Sequence, residues 1–158
     1  MPRMGLIVGL LVWLPGCSAT SPEPEGEIAV SISRTISEST PSFNVRVVAE
    51  YTVENVGDTP VFYRPCLTIV DRQVGENWQG RWGRSCTLGP EPVIQIEPHG
   101  MRRDSMVVEY NPSPYHPENY SGPVAGTYSI RVLVEDERGT PLSVLQSRSL
   151  PFALSNPR

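Results

Sequence analysis

Three cysteines, two histidines and three tryptophans are the side chains of this sequence best suited to chemistry or tight binding. Cys66 and Cys86 stand twenty positions apart, with Cys17 far upstream. Thiols can join in a disulfide, ligate a metal or cycle between redox states. Cys66, Cys86, His99 and His116 have the ligand types of a Cys2His2 zinc site, but their spacings match no compact zinc motif. A Ser-His-Asp triad would have to use His99 or His116, and neither stands in a setting that fits one. The chain has no G-x-S-x-G elbow, no H-E-x-x-H, no phosphate loop and no G-x-G-x-x-G turn. All 13 basic residues are arginine, so lysine Schiff-base chemistry is excluded. The expectation is a non-enzymatic protein with no catalytic residue, no metal and no cofactor.

Cys17 closes a distinctive N-terminal segment. Arg3 supplies a positive charge, and Met4 to Leu14 is an apolar run of eleven residues. Such a run is too short for a lone transmembrane helix, which needs about 20 residues, and has the length of a signal-peptide core. The residues that follow, Leu14-Pro15-Gly16-Cys17, resemble the lipobox of bacterial lipoproteins. That resemblance implies a leader over residues 1–16, removed by cleavage, and lipid on the Cys17 thiol and the new N-terminus. Ser18 after the cysteine implies the outer membrane of a bacterial envelope. The membrane is then a partner through covalent lipid, each buried methylene contributing ~0.8 kcal/mol. Residues 17–26, rich in Ser, Pro and Glu, read as a solvated tether that reaches roughly 30 Å when extended.

With Cys17 assigned to lipid, Cys66 and Cys86 remain as an even pair in an exported chain, where a disulfide is expected. On the loop-entropy account it stabilises by ~3 kcal/mol. Between the two lies ENWQGRWGRS, where even spacing puts Trp78 and Trp82 on one strand face with Arg81 and Arg84 interleaved. Trp and Arg dominate binding hot spots and stack on sugars or aromatic groups. The same indoles would also serve as core packing over the disulfide. A second candidate surface is the proline-rich stretch 111–126, with Tyr115, His116 and Tyr120. Long ordered loops often carry function, and prolines reduce the entropy lost on binding. The same stretch would also serve as a plain crossover into a tyrosine corner at Tyr128. Glu135, Asp136 and Glu137 read as a solvated hairpin tip.

Positioning these residues falls to strands. NVRVVAEYTVEN places Val45, Val47, Ala49, Tyr51 and Val53 on one face and charged or polar residues on the other. GTYSIRVLVED repeats the pattern through Tyr128, Ile130, Val132 and Val134. Weaker runs span Ile28 to Ile36, Val61 to Asp71, Val93 to Ile96, Met101 to Tyr110 and Val144 to Leu154. Turn signals rich in Gly, Pro, Asn and Asp separate them. No segment after Cys17 shows helical periodicity, and no second domain is visible. The chain therefore reads as all-β, a single antiparallel immunoglobulin-like sandwich of seven to eight strands over residues 27–158.

The stretches YTVENVGDTPVFY, TIVDRQVGENW and VIQIEPHGMRRDSMVVEY resemble the immunoglobulin-like domain of the bacterial intracellular proteinase inhibitor family. The matching positions are Asn55, Val70, Asp71, Gly75 and Trp78, with His99 interrupting the Pro-Gly pair at Pro98-His99-Gly100. The resemblance spans about Val45 to Tyr110 and implies the fold foremost, with protease inhibition as an alternative function. The leading expectation is a monomeric, lipid-anchored binding module whose partner is an envelope protein or glycan. A glycan-binding module is a further alternative. The formal net charge of −4 offers no basic field for nucleic acid.

Overall fold

The computed structural model describes residues 28–84, 92–112, 122–136, 139–141 and 147–158. Eight strands follow in chain order: β1 (Ile28–Glu38), β2 (Val45–Asn55), β3 (Val61–Val74), β4 (Asn77–Gly83), β5 (Ile94–Ile96), β6 (Met101–Tyr110), β7 (Gly126–Glu135) and β8 (Phe152–Leu154). One sheet has the order β1-β2-β6; the other has β4-β3-β7-β8, with β5 pairing the first part of β3. All the strand pairs are antiparallel. The protein is an all-β sandwich.

Alternation makes β2 the spine of the smaller sheet. Val45, Val47, Ala49, Tyr51 and Val53 are buried, and opposite them Met106, Val108 and Tyr110 of β6 are buried too. From the other sheet, Val61, Tyr63, Val70, Ile130, Val132 and Val134 complete the core. β1 keeps this rhythm only as far as Ile32. A bulge between Ile32 and Arg34 then shifts the register, so that Ile36 comes opposite Val48 on the outer face. On that face Arg46 joins Glu38 at 2.5 Å and Glu109 at 3.0 Å, a surface ion pairing across all three strands.

The tyrosine corner expected at Tyr128 is present. Its hydroxyl donates to the Val124 carbonyl at 2.5 Å, four residues upstream. Its ring lies between Trp82, centroids 5.2 Å apart and nearly parallel, and Phe152 at 6.2 Å. That corner and the strand order are those of an immunoglobulin-like fold.

The sandwich has two distinct ends. At one end Ile28 begins β1 opposite Asn55, beside the turns between β2 and β3 and between β5 and β6. Asn55 is fully buried and binds these turns together: its Nδ2 donates to the Thr59, Ile96 and Glu97 carbonyls, and its Oδ1 accepts from Gly57 N–H. His99 sits here in the left-handed backbone region, φ 57°. At the other end lie the β1–β2 loop, the Gly75–Glu76 hairpin tip, the two stems of the segment between β6 and β7, and the C-terminus. Asn44 N–H donates to Asn111 Oδ1, and Val124 N–H to Asn156 Oδ1, closing that end. Gly75, φ 60°, takes the first position of the two-residue turn, where a positive φ is required.

A buried polar network joins the two sheets. Tyr63 donates its hydroxyl to Asp104 Oδ2 at 3.0 Å, so Tyr51 donates in turn to Tyr63 at 2.6 Å. Thr68 Oγ1 lies 3.2 Å from both hydroxyls. Arg84, just beyond β4, completes the set with Nη2 2.8 Å from Asp104 Oδ1. Burial raises the pKa of Tyr51 and of Tyr63 above the usual tyrosine value, because the phenolate would lose its hydration. The unfolded chain releases these protons near pH 10 while the folded one holds them. Stability therefore stays level with respect to these groups below about pH 10 and falls above it, by up to ~1.4 kcal/mol per pH unit for each tyrosine. Urea unfolding across that range is expected to show the fall, and Tyr63→Phe to make it shallower; an unchanged slope in the variant would contradict this account.

Candidate functional site

The outer face of the larger sheet concentrates the polar chemistry that the sequence marked. β3 carries two irregularities that decide which side chains reach it. Against β4, the register shifts between Val70, opposite Trp82, and Asp71, opposite Gly80, leaving Arg81 as the extra residue. Against β7, it shifts between Arg64 and Ile69, so Pro65 to Thr68 bulge away. Partners directly opposite share a face, hence Trp82 points inward with Val70 and Trp78 points outward with Gln73.

This corrects the even-spacing expectation. Trp78 and Trp82 lie on opposite faces because the bulge at Arg81 inserts one residue between them. Trp82 is 2% exposed and belongs to the core, so it is not part of a binding surface. Arg81 is buried as well, its guanidinium 5.5 Å from the Trp82 ring centroid. Arg84 is committed to Asp104 and to the Ser105 carbonyl. Of the four candidates in the hairpin, only Trp78 faces outward, half-buried, with the Arg148 guanidinium 5.1 Å from its ring centroid. Cys66 is half-buried in the bulge of β3. Cys17, Cys86, Tyr115, His116 and Tyr120 lie outside the described residues.

Asp71 organises the outer face. It is 1% exposed although it sits on the solvent side of the sheet, because two arginines cover it. Arg131 Nε lies 3.1 Å and Arg148 Nη2 2.8 Å from its Oδ2. A buried carboxylate needs such partners, and two cations on one anion leave a net positive charge. Beside this cage the bulge opens a groove of about 390 Å³, lined by Leu67, Ile69, Arg84, Arg131 and Leu133 among others. Leu67 is 40% exposed on its rim. The wall is apolar and its two arginines are already ion-paired, so the groove offers shape and hydrophobic contact more than charge.

Sequence reasoning missed Arg131, Arg148 and the groove. The one signal was Asp71, an acid inside an apolar strand, which demands a cation; nothing in the sequence says that residues 60 and 77 positions away supply it. Glu135 was also misread: it is 9% exposed and pairs with Arg64 at 2.7 Å, so it is not a solvated tip residue. Among the described residues, no group of His, Cys, Asp and Glu is placed to hold a metal ion.

No family model matches the sequence, and no curated protein does. Comparison with solved structures finds distant similarities. Northeast Structural Genomics Consortium target SoR45 is 15% identical, with 83% of this chain and 88% of that one covered and a TM-score of 0.51. The putative ApaA protein from Bordetella pertussis is 21% identical over 83% of this chain and 94% of its own, with a TM-score of 0.48. A PapD-like domain of human CEP192 is 16% identical over 97% and 94%, with a TM-score of 0.31. At such identities the first likeness speaks for the sandwich fold alone.

The two-face assignment of the indoles is testable by stability. Trp82→Ala is expected to cost ~3–5 kcal/mol of unfolding free energy, as for a large buried aromatic. Trp78→Ala is expected to cost ~1 kcal/mol, the loss of a half-exposed cation–π contact. Equal losses in urea denaturation would overturn the assignment.

Proposed function

We propose that this chain is a bacterial envelope lipoprotein, held by lipid on Cys17, whose sandwich serves as a non-enzymatic binding module. The observation that carries the reading is the polarity of the fold. The tether leads into Ile28 at the Asn55 end, while the proline-rich segment leaves β6 after Tyr110 and returns to β7 at Gly126 at the opposite end. An anchored chain of this topology holds both described stems of the 111–126 segment, the stretch that carries Tyr115, His116 and Tyr120 in sequence, at the end away from the membrane. A protein partner is favoured over a glycan, since Trp82 is buried and Arg148 lies over the ring of Trp78.

The Cys66–Cys86 disulfide is part of the same proposal. Ile69 is opposite Gly83, and Arg84 N–H donates to the Thr68 carbonyl at 3.3 Å. Thr68 and Arg84 each stand two positions from a cysteine along the chain, Cys66 and Cys86 respectively. Hydrogen-bonded antiparallel pairs recur at that spacing with Cα atoms about 5.5 Å apart, inside the range a disulfide spans.

The experiment has two arms. Cys17→Ala is expected to release the protein from the membrane fraction; retention would sink the lipoprotein reading. A photo-crosslinker placed at position 116 is expected to capture a defined envelope component, and one at position 58, at the tether end, to capture none. Capture from both positions alike, or from neither, would remove the case for a presented binding end.

A further inference from the structure

The smaller sheet ends on β6, and among the described residues no strand pairs with its far side. The ladder shows which backbone groups that edge offers. Asn55 N–H donates to the Gly100 carbonyl at 2.9 Å, and the β2–β6 register continues from there without a shift. Hydrogen-bonded pairs recur every second residue, so Tyr51–Asp104 and Ala49–Met106 are bonded pairs, and Glu50–Ser105 between them is not. The N–H and carbonyl groups of residues 101, 103, 105, 107 and 109 therefore point away from β2, over the open edge.

At the centre of that edge, Ser105 is already satisfied by side chains. Its N–H donates to Asp104 Oδ1 at 2.7 Å, and its carbonyl accepts from Arg84 Nη2. Arg84 comes from the other sheet, and its ion pair with Asp104 holds it there. β1, the opposite edge of the same sheet, is interrupted by its bulge; β6 is regular over ten residues, with Met101 and Val107 exposed. Long regular edges template pairing with another chain unless something obstructs them.

We propose that Arg84 guards a self-pairing edge: with its guanidinium withdrawn from Ser105, β6 pairs antiparallel with β6 of a second copy to form one continuous six-stranded sheet. A two-fold axis normal to the sheet allows only registers that pair odd residues with odd, because opposite partners share a face. One such register sets Arg103 opposite Glu109 of the second copy, and by symmetry Glu109 opposite Arg103, with Ser105 opposite Val107. Shifting one chain by two residues sets Arg103 against Val107 and Glu109 against Met101, with no charge match. Both Arg103 and Glu109 lie on the outer face, where opposite charges directly across a ladder stabilise it. Charge complementarity thus selects the second copy as occupant and fixes its register.

The test uses the full-length chain carrying Cys17→Ala, in sedimentation equilibrium. With Arg84 in place it is expected to be a monomer. Arg84→Ala is expected to double the apparent mass, and Arg84→Ala/Asp104→Asn to do the same without leaving a half-buried carboxylate unpaired. Adding Val107→Pro should restore the monomer, since it removes an edge-directed N–H and leaves the β2 ladder intact. Adding Arg103→Glu should also restore the monomer, and Arg103→Glu with Glu109→Arg should return the dimer. A folded monomer in both Arg84 variants, or a dimer indifferent to Val107→Pro, would overturn the proposal.

Discussion

The structure depends on one carboxylate placed between two sheets. Asp104 stands opposite Tyr51 in its own sheet and reaches across the sandwich to Tyr63 and Arg84. A charge in that position would cost several kcal/mol if it were unpaired. Its partners come from β3 and the end of β4, so satisfying it brings the two sheets into one relative placement. Apolar contacts are non-directional and would tolerate sliding; a hydrogen-bonded chain through Tyr51, Tyr63, Thr68 and Asp104 does not. The same arginine that neutralises Asp104 also covers Ser105, so inter-sheet fixation and edge protection are one feature.

A second carboxylate plays a comparable part on the outside. Asp71 collects Arg131 from β7 and Arg148 from the segment leading to β8, and Arg148 in turn lies over Trp78. Three stretches distant in sequence are tied across the face of one sheet. The bulges of β3 and β4 make this possible. Each turns the neighbouring side chain to the other face, sending Trp82 into the core against Tyr128 and leaving Trp78 outside. Bulges of this kind re-aim side chains locally while the remainder of the ladder keeps its register.

Much of the fold was legible because alternation is a local property. β2 and β7 announce themselves by period two, β6 more weakly, and the tyrosine corner by a Tyr following Gly126-Thr127. Reading failed where a strand carries an extra residue. β1 loses its alternation after Ile32, and the hairpin indoles were assigned to one face by parity alone. A bulge changes parity without leaving a composition signal at Arg81, so no count along the sequence could have placed Trp78 and Trp82 correctly. The candidate surface suffered in proportion: of the four residues proposed in the hairpin, Trp78 alone faces outward.

By itself, the sequence determined the fold class, the strands with regular alternation, the turn positions rich in Gly and Asn, and the absence of lysine chemistry. These follow from the pleat and from backbone preferences, which act within a few residues. Only the tertiary structure decided that Asp71 is caged by Arg131 and Arg148, that Asp104 links the sheets, that Glu135 is paired with Arg64, and that the β6 edge is covered at its centre by Arg84. Those outcomes rest on charges and hydroxyls that meet after chain segments 20 to 77 residues apart are brought together. A buried charge states in the sequence that it needs a partner; only the folded chain states which one.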